Sequence, residues 1–417
     1  MSAKELPKYI QVLLDRIVKE NDFQDYSLDI KQGSQVGDGF LSELSSIGIS
    51  ENGSDKKLDI VCKIAPFNEN RRKEFFSNVV FDRESYFYNK LMPTFAKFQD
   101  EKNVPKDAQF RAYPKCYAAI SNDESEHYVI IMEDLRPQGF KMWNKAKAVP
   151  IENMRLVMRS LGKFHALSLA LKDQRPDEFA KFKKLTDVSQ TFFQSQNMQG
   201  MFDASFDRAI AALKNEDHKE IIRTLKNNTL SHFKSCLSDE ISNRFGVVSH
   251  GDFWNNNILY RFNEDNIAED VRFLDWQVIR YISPAIDLLY NIFTSTDKAL
   301  REKEYDNLLK VYHDSLSNTV KLLGSNPDEL FTLNDLKDEL KICGNYAFLL
   351  APMLLSVSLA DSSEISNLDE MCDKIAEGET RHELITGLNE KAQLEYDQRL
   401  NDVFDDLVKL GYYTKIN

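Results

Sequence analysis

The chain has 417 residues, 42% hydrophobic and 29% charged, more than one ordinary core holds, so two lobes of a soluble globular protein are expected. Its net charge of -13 argues against nucleic acid or an anionic membrane as partner. Cys62, Cys116, Cys236, Cys343 and Cys372 form no CxxC pair, so zinc and a disulfide framework are not expected, and a reducing, cytoplasmic setting is. Met1 to Leu6 hold no apolar signal-peptide core. No uncharged apolar run reaches membrane-spanning length, so membrane insertion is not expected, and 346–360 reads as a buried helix. Nothing in the pattern speaks to oligomeric state.

In chain order, Pro7 to Lys19 carries Ile10, Leu13, Leu14 and Ile17 at helical spacing. Two strand-like runs, 27–32 and 40–50, flank a turn with Gly37 and Gly39. That turn is either a flap whose N–H groups cover phosphates or a plain hairpin; it lacks the GxxxxGK[ST] of a P-loop. Leu58 to Ala65 alternates as a strand with Lys63 inside it. Such a lysine either turns to solvent on an edge strand or meets an anion. A helix over 70–91 follows, closed by Pro93, with Glu84 in its middle. A Lys63–Glu84 pair would aim the ammonium at a nucleotide's phosphates, with Glu74 and Asp82 as competing partners.

Cys116–Ile120 and His127–Met132 read as two further strands, and the acidic, Pro- and Gly-bearing stretch 133–139 as a hinge. Beyond it the pattern turns helical, beginning with Met154 to Leu171, on which His165 reads as a packing histidine. The expected fold is therefore α+β and bilobal: residues 1–134 form an antiparallel β lobe with one main helix, and 135–417 a larger, mostly helical lobe holding two short β elements.

Those β elements carry the chemistry. The first, 247–260, has apolar ends around His250, Gly251, Asp252, Asn255, Asn256 and Asn257; the second, 271–276, ends near Asp275. Phosphoryl transfer needs a base near the acceptor hydroxyl, Mg²⁺ on the phosphates, and cations or N–H groups on the transferring group. Asp252 suits the base, and Asn257 with Asp275 suits Mg²⁺, which takes oxygen ligands and keeps several waters. His250 and Gly251 read as shaping the loop. Asp287 either braces that loop or caps its own helix. A transition-metal site would want more histidines, and a serine hydrolase a GxSxG elbow, which is missing.

The segment HGDFWNNNILY, with FLDWQ and SPAIDLLY after it, resembles the ecdysteroid kinase-like (CHK kinase-like) family, within the protein-kinase-like fold shared with choline kinases and aminoglycoside phosphotransferases. VCKIAP around Lys63, FDRESYFYNKLMP around Glu84, IIMEDLRPQGF at the hinge and LGKFHALSLA extend the resemblance over about residues 25 to 410. It implies an ATP- and Mg²⁺-dependent kinase of a small-molecule alcohol, an ecdysteroid or other steroid hydroxyl first among acceptors. Asp252 would be the base, Asn257 and Asp275 the metal ligands, and Lys63, positioned by Glu84, the phosphate contact. The backbone of Glu133 to Leu135 would meet adenine. Trp276 stands where many relatives have Phe. A polar acceptor of choline or aminoglycoside type, or a catalytically inactive nucleotide-binding module, are the alternatives. A protein kinase is disfavoured: no DFG stands at Asp275, and Ser283-Pro284 follows too soon for an activation loop.

Overall fold

The structure is a computed structural model that describes residues 6–32, 41–185, 196–379 and 383–415. Gly37 and Gly39 lie outside the described residues.

Five antiparallel strands, β1 (Tyr26–Gln32), β2 (Glu43–Glu51), β3 (Lys57–Ile64), β4 (Cys116–Asn122) and β5 (His127–Glu133), form one sheet in the order β1-β2-β3-β5-β4. Side chains alternate across a strand. Ile60, Cys62 and Ile64 thus share one face, where Ile10, Leu13, Leu14 and Ile17 of α1 (Lys8–Glu20) cover them to make a small core. Lys63 takes the opposite face. It lies on the central strand, opposite Leu44 of β2 and Ile130 of β5, and is buried. The edge-strand reading therefore fails: β3 is paired on both sides and the lysine is only 3% exposed.

The single helix expected over 70–91 is broken. It divides into α2 (Glu69–Glu74) and α3 (Ser77–Tyr86), with Phe76 between them in the left-handed region (φ 50°). Nor does Pro93 close it: a π-turn at Phe87–Leu91 leads into α4 (Met92–Glu101), and Pro93 sits in the first turn of α4. The widened turn tolerates a residue without an N–H, where a regular helix would lose a bond.

The second lobe is built on α5 (Ile151–Gln174), followed by α6 (Gln196–Ala212), α7 (Glu216–Asn227), α8 (Thr229–Cys236) and α9 (Asp239–Phe245). After residues 247–282 come α10 (Ala285–Ser295), α11 (Lys298–Leu322), α12 (Leu333–Ile342), α13 (Asn345–Leu359), α14 (Leu368–Ala376) and α15 (Glu390–Lys409), with short helical turns between them. Helices α5 and α11 approach closely at Gly162, where a Cβ would stand 2.5 Å from the Tyr312 carbonyl oxygen.

The two expected β elements hold three short strands, the first of them a strand, loop and strand, and two further short strands occur beside them. β6 (Phe140–Met142), β8 (Ile258–Phe262) and β9 (Ala268–Phe273) make one sheet, and β7 (Val247–Ser249) pairs with β10 (Arg280–Ile282). Three-residue strands such as β6 and β10 are too short to show an alternation. One large core runs through both lobes, joining Ile130 and Met132 of β5 to Leu161 and Phe164 of α5. No single described helix is long and apolar enough to cross a membrane. The bent pair Pro327–Ile342 with Asn345–Leu359 meets the length and composition, but nearly all of α13 is buried in the core.

Candidate active site

The loop between β7 and β8 is held from beneath. Asp287, in the first turn of α10, is fully buried and accepts the His250 N–H at 2.7 Å and the Gly251 N–H at 2.9 Å. His165 of α5 meets the same carboxylate at 3.2 Å and Tyr312 at 2.8 Å. Burial acts to raise the Asp287 carboxyl, but the His165 hydrogen bond and the backbone donors of the loop hold it below its ordinary value. Asp287 therefore braces the loop between β7 and β8. His250, buried and kept neutral by burial, reaches the Leu274 carbonyl at 2.8 Å and so ties this loop to the Asp275 segment. Gly251 has φ +85°, and a Cβ there would meet the Val278 oxygen at 2.4 Å, so the turn accepts only glycine.

Asp252 follows at the cavity edge. Asn257 donates Nδ2 to its Oδ2 at 2.9 Å and to its backbone oxygen at 2.9 Å. The Tyr290 hydroxyl donates to its Oδ1. Burial raises the Asp252 pKa against the pull of Tyr290, His250 and Asn257, which makes the carboxylate a better proton acceptor.

Strand β9 ends at Phe273, and the Leu274 N–H bonds the Asn257 carbonyl at 2.8 Å. Asp275 lies beyond the strand in the left-handed region (φ 58°), not on it as the sequence suggests. This twist brings Asp275 Oδ1 to 2.6 Å from Lys63 Nζ, while Glu84 Oε2 lies 2.7 Å away on the other side. Glu84, rather than Glu74 or Asp82, is thus the partner of Lys63. Burial would lower the Lys63 pKa, but Asp275 and Glu84 raise it, so the ammonium stays charged. Trp276 is fully buried and stacks on Phe87 of the π-turn (centroids 4.0 Å apart, interplanar angle 9°), its Nε1 donating to the Phe273 carbonyl at 3.1 Å. The wide turn and the indole wedge together fix the helix that carries Glu84 against the segment that carries Asp275.

Asn257 spends Nδ2 on Asp252 and leaves Oδ1, and the Asp275 side chain is 37% exposed, accessible to an incoming ligand. One amide oxygen and one carboxylate, completed by phosphates and water, suit Mg²⁺. Among the described residues no group of three His, Cys, Asp or Glu could hold a metal ion.

Lys63, Asp252, Asn257 and Asp275 line one cavity of about 290 Å³, and Glu84 stands directly behind Lys63. The remaining wall is mainly apolar, from Phe75, Met142, Met198, Trp254, Leu350 and Met353 among others. Glu133 and Leu135 are not in that wall. The Glu133 side chain bonds the Lys115 N–H (2.7 Å) and Gln138 (3.0 Å), and Leu135 is buried in the hinge. Tyr290 and Gln277, the latter 3.4 Å from Lys63 Nζ, also line the cavity and escaped the sequence reading. The signal for Tyr290 was there: it lies one helical turn beyond Asp287.

A five-stranded antiparallel lobe with a buried Lys–Glu pair, set over a helical lobe whose β-loop carries Asp252 and Asn257, defines a bilobal kinase-like α+β fold. The chain matches the model of the ecdysteroid kinase-like family over residues 36–325, and it belongs to that family, among small-molecule kinase-like phosphotransferases. A comparison with curated proteins yields no match.

Proposed function

We propose that the protein transfers the γ-phosphoryl group of ATP, with Mg²⁺, to a hydroxyl of an apolar small molecule, a steroid alcohol of ecdysteroid type being the first candidate. The observation that carries this reading is the cavity itself, in which Asp252, Asn257, Asp275 and Lys63 share one wall with an apolar surface. Asp252 takes the proton of the acceptor hydroxyl as its oxygen bonds to phosphorus and ADP departs. Lys63, held by Glu84, contacts the phosphates. Asn257 and Asp275 hold Mg²⁺, which offsets the phosphate charge. The backbone of Glu133 to Leu135 is the proposed adenine contact, by likeness to the wider fold.

A cationic acceptor such as choline or an aminoglycoside would favour an acidic or aromatic cage. The only carboxylates among the described lining residues are Asp252 and Asp275, both already given roles in transfer. The wall does carry aromatics such as Phe75 and Trp254, but it also presents Arg280, a like charge that a cationic acceptor would meet, and this supports the apolar acceptor.

The test is to incubate the protein with Mg-ATP and a metabolite extract or steroid panel and search for products heavier by one phosphate. Asp252→Ala should lower turnover by roughly 10²–10⁴-fold while Mg-ATP binding persists. Wild-type turnover by that variant would remove Asp252 as the base. ATP binding without any phosphorylated product would favour an inactive module.

A further inference from the structure

Tyr290 has no part in the transfer just described, yet its hydroxyl meets the atom on which transfer turns. It projects from α10 into the cavity, is 6% exposed, and donates to Asp252 Oδ1, while Asn257 holds Oδ2. Its place is rigid. Three residues earlier on the same helix, Asp287 fixes the backbone of His250 and Gly251, so α10 grips the catalytic loop at both the backbone and the base. A phenol keeps its proton at neutral pH and acts toward a carboxylate as a hydroxyl donor. An acceptor alcohol must present the same group, a hydroxyl donating to an Asp252 oxygen.

Resting on the kinase reading above, we infer that Tyr290 is a placeholder for the acceptor hydroxyl. Without acceptor it occupies Oδ1, so that water entering the cavity is not deprotonated against bound ATP. The alcohol displaces it and takes its hydrogen bond. The suppressed reaction is hydrolysis: a water oxygen would bond to the γ-phosphorus, the bond from that phosphorus to the bridging oxygen would break, ADP would leave, and the water proton would pass to Asp252. Tyr290 is thus a positioning residue that acts through Asp252, and it determines whether water or alcohol is used.

The test needs no knowledge of the acceptor. Phosphate release from Mg-ATP alone is measured for the wild type, Tyr290→Phe, Asp252→Ala and the double variant, alongside nucleotide binding and thermal melting. Tyr290→Phe should release phosphate on the order of tenfold faster than the wild type, and adding Asp252→Ala should abolish the gain. A merely structural role would lower the rate or leave it unchanged. If Tyr290→Phe does not fold, Tyr290→Met, which also lacks the hydroxyl, replaces it. A hydroxyl-free variant that binds Mg-ATP and hydrolyses it no faster than the wild type overturns the placeholder. A wild type that binds no Mg-ATP, or a double variant as fast as Tyr290→Phe, overturns instead the assignment of the site on which the inference rests.

Discussion

At the scale of single residues, the site is governed by buried charges that exist only because each has its partner. Lys63 is 3% exposed and Glu84 is 1% exposed, and they meet at 2.7 Å. Removing one member of such a pair strands the other, which typically costs about 3–5 kcal/mol. Lys63→Met should therefore lower both stability and transfer, and stability alone cannot separate the two roles. The double variant Lys63→Met/Glu84→Gln separates them. Urea unfolding should show much of the lost stability restored, because no fully buried carboxylate is left uncompensated (Asp275, which also loses Lys63, is 37% exposed), while transfer stays as low as in Lys63→Met. Recovered transfer in the double variant would rule out Lys63 as the phosphate contact. Asp252, Asn257 and Asp275 were legible as a set because five and 23 residues are spacings that a loop and a returning strand can close. Their hydrogen bonds were not. Whether Asp287 braces the loop or caps its own helix depends on where α10 lies, and that is fixed by packing distant in sequence.

At the scale of elements, the strands and long helices were readable from periodicity, whereas their breaks were not. The π-turn at Phe87–Leu91 answers to the need to stack Phe87 on Trp276, a contact between residues 189 positions apart in sequence. Composition reads 133–139 as a hinge, and in the structure this segment is tied to the first sheet. Asp134 accepts from Arg136 (Nε at 2.9 Å, Nη2 at 2.7 Å) and from Ser46 of β2 at 3.3 Å, while its own N–H bonds the Asp59 carbonyl of β3 at 2.9 Å. Burial acts to raise the Asp134 carboxyl, but the Arg136 and Ser46 hydrogen bonds hold it below its ordinary value. A carboxyl depressed in the folded state stabilises the fold above its unfolded pKa, near ~3.9, and that stability is lost as pH falls through the folded value. Asp134→Asn should thus melt earlier than the wild type at pH 7, by on the order of 1 kcal/mol given the half-exposed Arg136. The gap should close at acid pH as the wild-type carboxyl is protonated. A gap that stays constant from pH 7 to below the carboxylate range would exclude the charge as its source.

At the scale of the whole molecule, the apolar cavity wall was illegible because its residues, from Phe75 to Met353, come from segments that no local pattern connects. Part of that wall (Tyr346, Leu350 and Met353) lies beyond the family match, which ends at residue 325. Further on, α14 crosses to the first lobe and clasps α2. Asp373 accepts from Asn68 and Asn70, both at 2.9 Å, and Arg71 lies 3.3 Å from both Asp369 and Glu43. Beneath these bonds Phe75, Met201, Met371 and Cys372 form a small separate core, and Phe75 also lines the cavity. The clasp therefore joins the lobes at the cavity wall, through polar contacts whose acidic partners are exposed, although Arg71 is buried, and which are individually modest. Asp369→Ala/Asp373→Ala should consequently leave global stability nearly intact, with a melting shift under about 3 °C. It should free α2 locally, with amide exchange over 69–76 faster by roughly tenfold, the equivalent of about 1.4 kcal/mol of local opening. Loosening Phe75 should raise the KM for the apolar acceptor more than it lowers kcat, because the contact contributes to binding rather than to the transferring group. Unchanged exchange over 69–76 would show that the apolar cluster alone holds α2, and that the carboxylates of α14 are not what keeps the two lobes together at the acceptor side.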